Sequence, residues 1–153
     1  MALYFFDSSA LVKRYVHERG SMWVRETTAA TSGHLIHLSL LTTAEIASAL
    51  ARRQREGSLS VLERERLLGA FLMDCASSYL LLRMEEDVIE QAMALLGRYP
   101  LRTADAIQVA TAVLLRHTLP AEQFGLVIVV SADDRVLQAA AQERLPVENP
   151  ELR

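Results

Sequence analysis

Four carboxylates stand where the chain passes from an apolar run or a turn into a helix: Asp7, Glu45, Asp105 and Asp133. Carboxylates that gather in one place repel one another, so such a group needs a positive partner. Oxygen ligands without a cysteine or histidine pattern suit a hard cation such as Mg²⁺ or Mn²⁺. Such cations activate a water molecule and stabilise the leaving oxygen in phosphodiester hydrolysis. The four residues therefore predict a metal-dependent phosphoryl hydrolase or nuclease.

Helix capping is the competing interpretation of these acids. In Leu101–Ala112 (LRTADAIQVATA), Thr103 is the predicted N-cap of an apolar helix, and Asp105 lies in the first turn, where the helix dipole favours a carboxylate. If Thr42 caps the helix that contains Glu45, the segment TTAE forms a capping box. Taken alone, Glu45 fits the capping box better than a catalytic role, so its assignment depends on where the other acids lie.

Short apolar runs alternate with helical patterns along the whole chain. The strongest strand signal is Leu126–Val130 (LVIVV), and further candidate strands are Ala2–Phe6, Leu35–Leu41, Leu80–Leu82 and Leu145–Val147. Strands that alternate with helices form a parallel sheet with helices on its faces. Because no linker or repeat interrupts the pattern, residues 1–153 are predicted to form a single α/β domain.

The carboxyl ends of the predicted strands should bring the acids together. Asp7 directly follows the first strand, and Ser8 or Ser9 is the predicted cap of the next helix. Ser131 is a candidate cap after the LVIVV strand, and Asp133 comes two residues later. Ligands of open parallel sheets bind beyond the carboxyl ends of the strands. We therefore expect four separate segments to deliver carboxylates to one crevice.

Composition narrows the class of protein further. The formal net charge of −3 argues against a nonspecific nucleic-acid coat, but it permits a local basic patch. Only one of the 16 cationic residues, Lys13, is a lysine. Lys13 lies a full helical turn beyond Asp7, so no lysine is expected near the carboxylates. No apolar run approaches the roughly 20 residues that span a bilayer, and no signal peptide is apparent, so a cytoplasmic protein is expected.

Four segments together resemble one known family. They are LYFFDSSALVKRYVHERGS (3–21), LTTAEIASAL (41–50), LRTADAIQVATA (101–112) and VIVVSADDRVLQAA (127–140), and they span nearly the whole chain in the expected order. The chain resembles PIN-domain proteins, specifically the VapC-like ribonuclease toxins of prokaryotic toxin–antitoxin pairs. This resemblance implies a three-layer α/β/α, Rossmann-like domain around a central parallel sheet of four to five short strands. It also implies an endoribonuclease that depends on Mg²⁺ or Mn²⁺.

The resemblance assigns roles to the four acids. It places the surest metal ligands at Asp7 and Asp105, and it makes Glu45 and Asp133 complete the site through the metal, a water molecule or the attacking nucleophile. Asp134 occupies a position that varies in such proteins, so Asp133 is preferred as the fourth acid. The resemblance also implies that the hydroxyls of Ser131 and Ser8 help to hold the site.

The resemblance further implies a homodimer and a small antitoxin partner that blocks the acidic pocket, often with an arginine. Five basic residues are candidates for holding an RNA backbone: Lys13, Arg14, Arg52, Arg53 and Arg55. A solvated helix face is an equally good interpretation of each of them.

Three other functions compete with an RNA-cleaving toxin. The same fold and metals would also serve a nuclease for structured DNA or RNA of the flap-nuclease kind. A non-catalytic binding module would use the acids only as helix caps and as a docking pocket for a partner. A nucleotide-binding Rossmann domain is disfavoured, because no GxGxxG sequence follows the first strand.

Overall fold

A five-stranded parallel sheet lies at the centre of the computed structural model, which describes residues 1–153. Its strands are β1 (Leu3–Phe6), β2 (Leu35–Ser39), β3 (Tyr79–Leu82), β4 (Val127–Val130) and β5 (Val147–Glu148). Their order across the sheet is β3-β2-β1-β4-β5, and every neighbouring pair is parallel. The predicted parallel sheet of four to five short strands is thus confirmed.

Eight helices surround the sheet. They are α1 (Ser8–Leu11), α2 (Ser21–Thr27), α3 (Leu41–Arg55), α4 (Val61–Ser77), α5 (Glu86–Leu96), α6 (Thr103–Thr118), α7 (Ala121–Phe124) and α8 (Asp134–Gln142). A 3₁₀ turn, Val12–Arg14, continues α1, and another, Pro150–Leu152, ends the chain. None of these helices combines the length and apolar character that crossing a membrane would require.

Alternation along the central strand produces the three layers. Successive side chains of a strand point to opposite faces, and Phe5 and Phe6 belong to two separate hydrophobic cores. Phe5 packs with α5, α6 and α8, for example with Val109 and Val136. Phe6 packs with α1, α3 and α4, for example with Phe71. The predicted α/β/α architecture follows from this division and is confirmed.

The register of β1 against β4 places the first acid beside a serine. Phe6 pairs with Val130, and the backbone amide of Asp7 donates to the Val130 carbonyl at 3.0 Å. Both strands therefore end together at the carboxyl edge of the sheet, with Asp7 next to Ser131.

The predicted helix caps in the first and sixth helices were wrong. Asp7, not Ser8 or Ser9, caps α1, because its Oδ1 accepts from the Ala10 amide at 3.1 Å. Thr103 is the first residue of α6, and Asp105 supports this helix start by accepting from the backbone amide of Arg102 at 3.2 Å. At α1 the acid accepts the hydrogen bond that was assigned to a hydroxyl, whereas at α6 the acid accepts from the amide that precedes the helix.

The capping box proposed for Glu45 was also wrong. The helix α3 starts at Leu41, so Thr42 lies inside it and cannot be its cap. No side chain caps this helix, and Glu45 lies beyond its first turn. At α8, Asp133 is the cap and accepts from the Arg135 amide at 2.9 Å, whereas Ser131 was the candidate. Glu45 is therefore free of the structural role that competed most directly with a functional one.

Candidate active site

One open pocket at the carboxyl edge of the sheet brings the predicted acids together. It encloses about 500 Å³, and only three of its 17 lining residues are hydrophobic. Asp7, Glu45, Asp105 and Asp133 all line it, whereas Asp134 does not. Four separate elements thus deliver one carboxylate each. Their catalytic and metal-binding roles remain predictions.

Asp7 is buried at the base of this pocket and held on both carboxylate oxygens. Its Oδ1 accepts from the Ser9 hydroxyl at 2.7 Å, besides the bond to the Ala10 amide. Its Oδ2 accepts from the Ser131 hydroxyl at 2.8 Å. Ser131 therefore holds the site as the resemblance implied. Ser9 was considered only as a helix cap, although its position two residues after Asp7 also allowed this contact.

Burial raises the pKa of Asp7 to about 6. The hydrogen bonds from Ser9, Ser131 and Ala10 oppose this rise, and the nearby charge of Glu45 adds to it. A carboxylate with a raised pKa is one that lacks enough positive charge around it. The surroundings of Asp7 therefore favour a bound cation over an isolated charge.

Glu45 and Asp105 face each other from α3 and α6. The carboxylate of Glu45 accepts from Gln108 Nε2 at 2.5 Å. Burial raises the pKa of Glu45, hydrogen bonds from Gln108 and Ser8 lower it, and the charge of Asp105 raises it again. The supporting role of Ser8 stays a prediction. Gln108 was missed because a single glutamine in an apolar helix does not indicate which residue it contacts.

Asp133 differs from the other acids because it already has a positive partner. The Arg135 guanidinium binds it through Nη2 at 3.1 Å from Oδ2, and the backbone amide of Asp133 donates to the Ser131 hydroxyl at 3.0 Å. Burial raises the pKa of Asp133, but the hydrogen bonds and charge of Arg135 outweigh it and lower the pKa below its ordinary value. Asp133 therefore stays ionised at neutral pH.

Lys13 corrects the expectation that no lysine lies near the acids. It lines the same pocket, is only 4% exposed, and its Nζ contacts Glu151 Oε1 at 2.7 Å. The prediction counted only the distance from Asp7 along a helix. The pocket instead extends along the 3₁₀ turn that follows α1, and the C-terminal turn folds back to supply the partner of Lys13.

Three arginines also line the pocket, and they differ in their partners. Arg53 Nη2 lies 3.2 Å from Glu18 Oε1, whereas Arg52 and Arg102 form no ion pair within the chain. Arg102 was not among the predicted RNA contacts. Its position three residues before Asp105 could have indicated that it lies near the acids.

Two of the predicted RNA contacts lie elsewhere. Arg14 and Arg55 do not line the pocket. Arg14 instead binds Asp74 on another surface, with Nε 2.9 Å from Oδ2. Arg14 therefore forms a structural ion pair, and the solvated-surface interpretation is the better one only for the exposed Arg55.

The donor atoms of the pocket fit a hard cation, although they form no finished metal site. No three Asp, Glu, His or Cys side chains lie close enough together to hold a metal ion. Magnesium, however, usually takes one or two carboxylates and keeps several water molecules. The charge of Glu45 raises the pKa of Asp7, the charge of Asp105 raises that of Glu45, and all three side chains carry carboxylate oxygens. Two of them, with water, would supply the oxygen ligands that such a cation prefers.

A parallel α/β/α domain with four carboxylates at the carboxyl edge of its sheet defines the class of this protein. The PIN-domain family model matches residues 4–142, and the chain belongs to that family. PIN domains are generally nucleases. No curated protein matches the chain at a significant level.

Solved structures with the same fold cover nearly the whole chain. A toxin–antitoxin complex from Klebsiella pneumoniae is 19% identical, with a TM-score of 0.64 and coverage of 96% of this chain and 97% of that one. FitAcB from Neisseria gonorrhoeae is 16% identical, with a TM-score of 0.66 and coverage of 97% and 98%. VapBC2 from Rickettsia felis, bound to a DNA fragment from its promoter, is 14% identical, with a TM-score of 0.64 and coverage of 96% and 98%. At these identities the similarity shows a shared fold.

Proposed function

We propose that residues 1–153 form a single nuclease domain that hydrolyses RNA phosphodiester bonds in the cytoplasm, as the toxin of a toxin–antitoxin pair. The observation that carries this proposal is the arrival of Asp7, Glu45, Asp105 and Asp133 in one open polar pocket. Membership of a family of nucleases supports the reaction class. The toxin role is supported by the shared fold of toxin–antitoxin proteins.

The four acids would act together with Mg²⁺ or Mn²⁺. Asp7 and Asp105 would hold the cation, which when bound would polarise the phosphate and lower the pKa of a water molecule. Hydroxyl groups already orient both carboxylate oxygens of Asp7, so this side chain would need little reorganisation to hold the cation. Glu45, whose carboxylate is oriented by Gln108, would accept a proton from the attacking water. Asp133 would complete the site as a permanently ionised group.

The cations that line the pocket would hold the RNA strand. Lys13, Arg52 and Arg102 each place a positive group beside the acids, and such groups bind phosphate through charge-assisted hydrogen bonds. Arg52 lies two helical turns after Glu45 on α3, which is roughly 10 Å along the helix axis. A phosphate near Arg52 would therefore belong to a nucleotide neighbouring the cleaved bond.

Replacement of Asp105 tests the reaction. Asp105→Asn should lower cleavage of a mixed tRNA and rRNA pool in Mn²⁺ by about 100-fold or more, because it removes a carboxylate that would hold the catalytic cation. Asp134→Asn is the matched control, since Asp134 is an exposed acid outside the pocket, and it should cleave like the wild type. Initial rates of fragment formation measure the effect. Equal cleavage by the wild type and Asp105→Asn would point to a contaminating nuclease and reject the proposed function.

The two alternatives predict different results in the same assay. A nuclease for structured nucleic acid would prefer flap and hairpin substrates to single-stranded RNA in a substrate panel. A non-catalytic module would show neither cleavage nor stabilisation by metal, since cations that bind only the folded state raise the melting temperature. Glu45 already argues against a purely structural role for the acids, because it caps no helix.

We also propose that the chain forms a homodimer through the edge of the sheet around β3. Ten of the 16 exposed large hydrophobic side chains lie between Val61 and Leu96, on α4, β3, α5 and their connections. Leu80 on the edge strand itself is 49% exposed. A surface this rich in apolar groups is typical of a protein interface.

Light scattering tests the dimer. The wild type should have twice the mass of the chain, and Leu80→Glu should shift the population towards monomers, because a carboxylate is costly to bury at an apolar interface. Leu126→Glu is the control. Leu126 is also an exposed leucine, but it precedes β4, which is separated from β3 by two strands of the sheet. A monomeric wild type at micromolar concentration would contradict the dimer.

The proposed antitoxin would be a small protein that covers the acidic pocket and places an arginine among the carboxylates. The acids of the pocket are the chemical reason, since three of the four have no arginine or lysine partner of their own. A short reading frame next to the gene would support this partner.

A further inference from the structure

Gln108 is a buried polar side chain that the proposed reaction does not yet use. It lies on α6 three residues after Asp105, and side chains with this spacing share one face of a helix. It is only 2% exposed, and the residues around it on α6 are mostly apolar. Such a residue needs partners, because a buried polar group without them costs free energy.

The side-chain amide of Gln108 donates both of its hydrogen bonds to residues of α3. Nε2 donates to Thr42 Oγ1 at 2.9 Å and to Glu45 Oε2 at 2.5 Å. These two bonds use both amide hydrogens and link α6, which carries Asp105, to α3, which carries Glu45. Oε1 of the same amide is buried without any hydrogen-bond partner.

The unpaired oxygen shows what sets the orientation of this amide. If the amide were turned over, Oε1 would face the carboxylate oxygen of Glu45, and two acceptors would meet at hydrogen-bond distance. The observed orientation instead lets Nε2 donate to Glu45 Oε2. Leaving a buried carbonyl unpaired costs about 1–3 kcal/mol, and an apolar side chain of similar size would avoid that cost. Packing alone does not explain a glutamine here.

We propose that Gln108 is a positioning residue that holds the Glu45 carboxylate in place opposite Asp105. This inference rests on the proposed nuclease function. Gln108 borders the acidic pocket, but it is only 2% exposed and both its amide hydrogens are donated to Thr42 and Glu45, so it acts through Glu45. Its loss should affect the rate of the chemical step and the affinity for the cation, and leave RNA binding unchanged.

The test replaces Gln108 by Leu, and separately by Met, which keeps the length of the side chain. Both variants should lower kcat about 10- to 100-fold and weaken Mn²⁺ activation, since residues that orient metal-site carboxylates typically have effects of this size. The KM for RNA should stay within about twofold of the wild type, and the rise in Tm on adding Mn²⁺ should become smaller. Thr111→Val is the matched control, because Thr111 is another buried polar residue on α6, bonded only to the Ile107 carbonyl.

A double substitution separates positioning from a merely structural role. In a Glu45→Gln background, Gln108→Leu should cause no further loss of kcat, because residues that act through one another are not additive. An additive loss would overturn the inference, as would wild-type kcat and Mn²⁺ response in both single variants. A fall in activity that Thr111→Val reproduces would overturn it too.

The same variants distinguish failure of the inference from failure of the proposed function. If the wild type cleaves RNA, Asp105→Asn does not, and the Gln108 variants behave like the wild type, only the role of Gln108 is rejected. If no RNA is cleaved but Mn²⁺ raises the Tm, the size of that rise in the Gln108 variants still decides whether Gln108 positions Glu45. A wild type that neither cleaves RNA nor responds to Mn²⁺ rejects both.

Discussion

Asp7→Asn is expected to stabilise the metal-free protein at neutral pH and, in Mn²⁺, to abolish cleavage. Burial raises the pKa of Asp7 from its ordinary value of 3.8 to about 6. The charged form is therefore less stable in the folded state than in the unfolded chain. A difference of this size corresponds to roughly 3 kcal/mol at a pH above both values.

The sign follows from proton binding. Between about pH 4 and pH 6 the folded state holds a proton on Asp7 that the unfolded chain has lost. The contribution of Asp7 to stability is therefore greatest below its ordinary pKa and is lost as the pH rises through its folded value. Asparagine carries no charge and escapes this loss. It cannot, however, accept all three hydrogen bonds that the carboxylate accepts, so the net gain should be about 1–2 kcal/mol at pH 8.

Thermal unfolding in EDTA measures this gain. For a chain of this length, each kcal/mol shifts the Tm by about 2–4 °C, so Asp7→Asn should melt several degrees above the wild type at pH 8. The difference should shrink towards pH 4. Added Mn²⁺ should raise the Tm of the wild type and leave that of Asp7→Asn nearly unchanged.

Cleavage by Asp7→Asn should fall by about 1000-fold, at the upper end of what the loss of one charged group at such a site causes. Asp134→Asn controls for loss of a carboxylate at the same edge of the sheet, because Asp134 is exposed and lies outside the pocket, and it should change neither the Tm nor the rate. An Asp7→Asn protein that melts below the wild type at pH 8 in EDTA would contradict the raised pKa.

Asp74→Ala is expected to cause the largest loss of stability outside the two cores. Asp74 Oδ2 accepts from the Tyr15 hydroxyl at 2.7 Å and from Arg14 Nε at 2.9 Å. The Tyr15 hydroxyl in turn lies 3.1 Å from that of Tyr79. This cluster joins the turn after α1, the helix α4 and the strand β3. Alanine would leave an arginine and a buried phenol without their shared acceptor.

The expected cost is about 2–4 kcal/mol, slightly below that of breaking a fully buried pair, because Arg14 and Asp74 are each 24% exposed. Asp74→Asn should cost about half as much, since it keeps an oxygen acceptor and loses only the charge. Urea unfolding measures both values. The rate of RNA cleavage per folded molecule should not change, because none of the three clustered residues Arg14, Tyr15 and Asp74 lines the acidic pocket. A loss below about 0.5 kcal/mol, which is the usual range for surface changes, would show that the cluster contributes little.

The sequence alone was sufficient to predict the class of fold and to predict that the four acids lie close together. Runs such as LVIVV determine strands because β-branched side chains fit a pleated, buried surface. Once strands and helices alternate, the sheet is parallel, and its carboxyl ends collect whatever follows each strand. Asp7 and Asp133 could therefore be placed at one edge without coordinates. Glu45 and Asp105 followed from short connections between strands and helices.

Helix starts were less predictable, because several groups compete for the same few amides. Hydroxyls and carboxylates both make good caps, and local sequence does not decide between neighbours such as Asp7 and Ser8. Asp7 and Asp133 are the N-caps of α1 and α8. The helix α3 begins before Thr42 and has no side-chain cap. The predicted capping box therefore does not form, and Glu45 has no capping role.

The remaining features depend on contacts between residues far apart in the chain, and only the tertiary structure decided them. Gln108 meets Glu45 across 63 positions, and Lys13 meets Glu151 across 138. In the sequence, Gln108 is only a polar residue in an apolar helix, and Lys13 is only a lysine in a helical pattern. Hydrophobic patterning specifies which face of each helix is buried, but the partner of a buried polar group depends on how those faces pack. The four acids and the supporting Ser131 were therefore visible in the sequence, whereas the contact of Gln108 with Glu45 was not.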